Sequence, residues 1–152
     1  MEIQAINIAD RDVAEDVWAL QHAAYRVEAS LIGVADLPPL RDTVDSLRAS
    51  EEQFYGMRSP QGELAGAVSF ALGEDGGYTV CRLMVHPDWF RQGVGLRLVN
   101  HLLALHPEAA WTVAAADRNA PALALYGKAG FEPRETFEPS PGVTLVRLER
   151  RS

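Results

Sequence analysis

The stretch HPDWFRQGVGLRL, His86 to Leu98, passes from an apolar, strand-like run through Trp, Arg and two glycines into a segment with helical spacing. A helix N-terminus has four backbone N–H groups without intrahelical partners and carries the positive end of the macrodipole. Glycines leading into such an end let an anion, above all a phosphate, approach those amides. The amides of Gln92, Gly93, Val94, Gly95 and Leu96 therefore form a candidate anion cradle, and the side chains of Arg91 and Arg97 are able to approach it. The same Gly-x-Gly also suits an ordinary strand-to-helix turn. Two nucleotide motifs are excluded: no Gly-Lys-Ser/Thr follows, and Leu98 stands where a dinucleotide fingerprint has its third glycine.

Other reactive side chains are sparse. A single cysteine, Cys81, cannot form an internal disulfide, and His22, His86, His101 and His106 lack metal-ligand spacing, so no metal site is expected. Arg82 sits in a strand expected to be central, on the same alternation parity as Tyr78, Met84 and His86. A charge in such a strand is seldom buried alone. It either holds a substrate carboxylate or pairs with Glu28 or another acid.

These residues must be positioned by a chain of 152 residues, 47% of them hydrophobic, which suits one domain, 1–152. The net charge of −7, without a Lys/Arg cluster, argues against nucleic acid or an anionic membrane as partner and leaves room for a cationic substrate such as an amine. No apolar run reaches membrane-spanning length and MEIQAINIAD lacks signal-peptide order, so a soluble, cytoplasmic protein is expected.

Periodicity predicts a strand in EIQAINI, a helix capped by Asp10 and running to about Glu28, and breakers at Gly33 and Pro38-Pro39. A short helix over 43–49 follows, then strands 53–58 and 64–72 joined by a turn, and a strand over 78–86. The remainder reads as helix 95–105, strand 111–116, helix 120–128 ended by Gly130, and strands 131–137 and 143–150. A mixed α/β sheet is the class.

Downstream of the glycines, NAPALALYGKAGF (Asn119 to Phe131) offers Asn, then Leu-Tyr, then a Gly-Phe ending. Together with strand, proline, Gly-x-Gly and helix, this resembles the GCN5-related N-acetyltransferase (GNAT) superfamily over residues 78–131. The resemblance implies an α+β fold: a mostly antiparallel twisted sheet of six to seven strands with about four helices, its parallel strands 78–86 and 111–116 splayed apart. It also implies acetyl-coenzyme A as cosubstrate, with pyrophosphate on residues 91–96 and the pantetheine arm along the amides of Met84 and Val85. Asn119 and Tyr126 would lie beside the arm and sulfur. Phe90 departs from the pattern, standing where the family has Gln or Arg.

On that resemblance Tyr126 is the general acid for the departing thiolate, and Asn119 serves foremost as a helix cap. Glu28, Asp36, Asp42 and His86 are the candidate bases, Glu28 being carried forward. Tyr25 and Arg82 are candidate acceptor contacts, and Cys81, on the opposite parity, is read as a core residue. The expected activity is direct acetyl transfer to a primary amine of a small molecule or peptide. The alternatives are a non-catalytic acyl-coenzyme A sensor of the same fold and an unrelated α/β protein whose glycines are only turns. The resemblance makes a homodimer one state to test.

Overall fold

The computed structural model describes residues 1–33, 37–73 and 76–151. Strand β1 (Ile3–Ile6) leads to helix α1 (Arg11–Ile32), where the Asp10 side chain accepts from the Val13 N–H at 3.2 Å. The helix runs past Glu28 because Ala29 and Ile32 continue its buried face, and it stops at Gly33, whose φ of 76° is left-handed. After a single turn at Pro38–Arg41, helix α2 (Val44–Arg48) is capped by Thr43. Next come β2 (Gln53–Arg58), β3 (Leu64–Leu72), β4 (Tyr78–Val85), α3 (Val94–Leu105), β5 (Trp111–Ala116), α4 (Ala120–Lys128), β6 (Glu132–Ser140) and β7 (Val143–Arg150).

One seven-stranded sheet runs in the order β1-β2-β3-β4-β5-β7-β6, antiparallel except between β4 and β5. Those parallel neighbours pair only at Tyr78 with Trp111 and Thr79 with Thr112. Beyond Thr79 they separate, and the rest of β4 presents an open edge. Helices α3 and α4 cover one face over a core that includes Val68, Phe70, Val80, Leu98 and Trp111. Helices α1 and α2 cover the other over Val17, Leu20, Leu47, Ala67 and Met84. Each large side chain buried in these layers stabilises the fold by about 1.5–3 kcal/mol.

A bulge in β4 decides which face each residue meets. Val80 opposes Phe70 and Arg82 opposes Ser69, so Cys81 is an extra residue with no partner on β3. The alternation inverts there. Tyr78 and Val80 join the α3 side, whereas Met84 joins the α1 side. Arg82 therefore does not share a face with Tyr78, correcting the uniform parity expected from the sequence. Cys81 is exposed rather than in the core, because the bulge leaves it unpaired at the open edge.

Candidate active-site cleft

The gap between β4 and β5 opens into a cavity of about 960 Å³ walled by α1, β4, β5, the start of α3 and one side of α4. Its β5 wall includes Ala114, Ala115 and Ala116, whose small side chains keep the gap wide.

At one end lies the N-terminus of α3. Gly93 caps it at φ 77° without a side-chain hydrogen bond, and Arg91 just before it is also left-handed at φ 62°. The first amides of the helix are thus left to a ligand. Gly95 has a different reason to be glycine: a Cβ there would lie 2.8 Å from Leu125 Cδ1 and 3.4 Å from Val85 Cγ2. Its bareness lets α3 pack against α4 and β4. Arg91, Gly93, Val94, Gly95 and Leu96 line the cavity, as does the exposed Phe90. Gln92 is exposed outside the lining, and Arg97 is drawn away to the Met1 carbonyl at 2.8 Å. Lys128, at the end of α4, also lines the cleft. It lies two residues after Tyr126, inside the stretch singled out from sequence, where its type was the available signal.

Backbone direction along the open edge follows from the ladder. The His86 N–H donates to the Ala65 carbonyl at 2.8 Å, and hydrogen-bonded pairs alternate along an antiparallel ladder. Met84 consequently turns its amide toward Ala67 of β3, while Leu83 and Val85 turn theirs into the gap. The expectation for Met84 is thereby corrected: its side chain is fully buried and its amide is spent within the sheet. Leu83, a residue the sequence reasoning missed, lines the cleft. Its backbone lies against the Tyr25 phenol.

Midway along the cavity, Tyr25, Glu28, Asn119 and Tyr126 come together. Asn119 accepts from the Ala122 N–H at 3.2 Å as the cap of α4 and donates from Nδ2 to Glu28 Oε1 at 2.8 Å. Burial raises the Glu28 carboxyl, and the Asn119 bond pulls it only partly back. Burial, then the neighbouring Tyr25 and Glu28, push the Tyr126 phenol well above its ordinary value. Tyr25 is raised likewise by burial first and Glu28 second. Cys81 Sγ lies 3.6 Å from the Thr79 carbonyl, and partial desolvation, with the Glu52 charge second, pushes its thiol up to about 11, so it stays protonated at neutral pH.

Among the other candidate bases, Asp42 is committed elsewhere. Arg82 donates to Asp42 Oδ2 at 2.6 Å, to Gln21 Oε1 at 2.8 Å and to Glu52 Oε1 and Oε2 at 3.0 and 3.3 Å. One bond from Nε, two from Nη1 and one from Nη2 occupy four of about five donors. Of the readings open for Arg82, the geometry selects pairing with acids other than Glu28. The His86 Nδ1 accepts from the Asp88 N–H at 3.1 Å within its own turn. Asp36 lies outside the described residues. No group of three or more His, Cys, Asp or Glu side chains among the described residues is arranged to hold a metal, and no described helix is long and apolar enough to cross a membrane.

Comparison with known proteins agrees with this architecture. Residues 14–131 match the model of the Acetyltransferase (GNAT) family. The chain is 35% identical over 144 residues to UPF0157 protein YqkA of Bacillus subtilis (strain 168), covering 94% of this chain and 41% of that one. It thus spans about two fifths of the length of that curated relative. The ribosomal-protein-S18-alanine N-acetyltransferase of Escherichia coli superposes with a TM-score of 0.74 at 17% identity, over 98% of this chain and 92% of that one. The spermidine N-acetyltransferase SpeG chimera from Vibrio cholerae and hSSAT gives 0.72 at 15% identity, over 99% and 95%. A candidate streptothricin acetyltransferase of Bacillus anthracis str. Ames, solved with acetyl coenzyme A, gives 0.61 at 14% identity, over 68% and 64%. At those identities the solved structures speak to the fold, while the family match rests on the sequence itself. The chain belongs to the acetyltransferase (GNAT) family.

Proposed function

We propose that residues 1–152 act as one acetyl-coenzyme A-dependent N-acetyltransferase domain whose acceptor is a primary amine. The observation that carries the reading is the meeting, in one cleft, of an uncapped helix N-terminus, an open strand edge, a buried phenol and a half-buried carboxylate. The residues present fit the coenzyme. The amides at the start of α3, with Arg91 and Lys128 in the same lining, suit its phosphates, and the Leu83 and Val85 backbone suits pantetheine as an added strand would.

The coenzyme supplies an activated acetyl thioester. An amide of the β4 edge aimed at the acetyl oxygen stabilises the negative charge that develops there. The Tyr126 O–H, kept protonated by burial, donates a hydrogen bond to the sulfur that departs, whose free thiol titrates near about 8.5. Glu28 accepts the proton that the amine loses; its raised carboxyl is a better base than an exposed glutamate.

Phe90, exposed at the mouth where the family has Gln or Arg, favours the second reading, a non-catalytic acyl-coenzyme A sensor. Calorimetric titration with acetyl-coenzyme A, followed by mass-spectrometric detection of acetylated amine, separates the two. Binding with product supports the transferase; binding without product from any amine supports the sensor. Absence of binding overturns both.

A further inference from the structure

The α1 wall of the cleft has a chemistry of its own. Ala24, Val27, Glu28 and Leu31 stand at i, i+3, i+4 and i+7 on α1, which places them on one helical face, and all four line the cavity. Ala24 also packs against the α1-side core, but Val27 and Leu31, 40% and 50% exposed, join neither core and line the cleft instead. Glu28 sits within the stripe and is the only acidic side chain among the described lining residues. The cationic lining residues are Arg82, Arg91 and Lys128. Arg91 directly precedes α3, Lys128 stands one turn after Leu125, which packs on Gly95 at the start of α3, and Arg82 is spent on Asp42, Glu52 and Gln21.

We infer that the acceptor is a monocationic primary amine carried on an apolar body, its ammonium on Glu28 and its body along Val27 and Leu31. The inference rests on the N-acetyltransferase reading and names the substrate class of that same cleft. A free amino acid is disfavoured because its α-carboxylate would enter this side of the cleft, whose one guanidinium is already committed. A polyamine is disfavoured because, among the described lining residues, its further cations meet apolar carbon and no second carboxylate.

The test uses the full chain with coenzyme A bound and titrates 2-phenylethylamine, phenylalanine and spermidine, with acetylated product followed separately under acetyl-coenzyme A. Phenylalanine differs from 2-phenylethylamine by the carboxylate alone, whereas spermidine replaces the phenyl body with an alkyl chain that carries two further cations. The expected result is 2-phenylethylamine binding at least about 10-fold tighter than either. Leu31→Lys, a change at a half-exposed position that the fold tolerates, weakens 2-phenylethylamine by about 10-fold through lost apolar contact and added like charge, and leaves coenzyme A affinity unchanged. Phenylalanine or spermidine binding as tightly as 2-phenylethylamine, or no amine binding at all, overturns the inference. Binding in the expected order without acetylated product leaves the ligand class standing and removes the transferase reading.

Discussion

Replacing Arg82 by alanine probes the face to which the β4 bulge turns it. The Arg82, Asp42 and Glu52 side chains are 15%, 20% and 21% exposed, so the guanidinium neutralises two carboxylates that water reaches poorly. Deleting one partner of a buried ion pair costs about 3–5 kcal/mol, and the residual solvent access here points to the lower end, about 3 kcal/mol. In a domain of this length each kcal/mol lowers the melting temperature by about 2–4 °C, so Arg82→Ala should melt about 6–12 °C below wild type at neutral pH. The loss depends on pH. Burial alone would raise the Asp42 carboxyl, but hydrogen bonds from Gln21, Ser46 and Arg82, with the guanidinium charge, outweigh it and hold the carboxyl below its ordinary 3.8. A depressed carboxyl adds stability above its unfolded value, and that stability fades as pH falls through its folded value. With the guanidinium gone much of that contribution goes too, so the gap to wild type is widest near about pH 7 and narrows below about pH 4. Thermal melts of both proteins across that range measure it. A drop smaller than about 2 °C at neutral pH, or a gap that ignores pH, would refute the reasoning.

Tyr126→Phe should lower kcat by about 100-fold or more while acetyl-coenzyme A affinity, read by calorimetry, stays near wild type; an unchanged kcat removes the hydrogen-bond donor role. Glu28 must be ionised to accept a proton, so kcat/KM should fall as pH drops through its raised value, and Glu28→Gln should lose that acid limb along with most activity. Asn119→Ser keeps a capping oxygen but loses the Nδ2 donor, so its melting temperature should hold while kcat/KM drops about 10-fold; Asn119→Asp should also move the acid limb to higher pH, because a second negative charge faces Glu28. Gly93→Ala should cost about 1–2 kcal/mol through backbone strain alone, since φ is +77° and nothing lies within 4 Å of its Cβ. In denaturant unfolding, Gly93→Asn should recover part of that loss.

Much of the fold was legible because local signals agreed with the tertiary outcome. Asp10 and Asn119 read as caps, and each side chain accepts from a backbone N–H of its helix. The splay of the two parallel strands followed from the family resemblance, and the ladder stops at Thr79 with Thr112. The bulge was not legible. Nothing in Thr79-Val80-Cys81-Arg82 marks Cys81 as unpaired, because a bulge is a relation between two strands, here set where Ser69 and Phe70 face β4. Reading β4 with a uniform period of two therefore put Cys81 in the core and Arg82 beside Tyr78, and the same ladder reserves the Met84 amide for β3. Candidate bases were unresolved for a similar reason: Glu28 and Asp42 look alike in sequence, and only the network around Arg82 separates them.

One extra residue thus divides β4 between two tasks. Before Cys81 the strand belongs to the sheet, pairing with β5 and feeding the α3-side core. After it, Leu83 and Val85 offer their backbone to the cleft, while Arg82 on the other face ties down the segment that follows α1 through Asp42, with Gln21 donating to the Pro39 carbonyl at 2.6 Å. The end of α1 is fixed from the opposite side as well: Arg118 donates to the Ile32 carbonyl at 3.1 Å, and Asn119 holds Glu28. Since α4 carries Tyr126 and α1 carries Glu28, these two bonds set the separation of phenol and carboxylate without either side chain having to hold the other. On the proposed mechanism a static clamp of that kind serves a hydrogen bond to the sulfur at one atom and proton removal from the amine at another, where positions off by an ångström would cost more than a modest change in acidity.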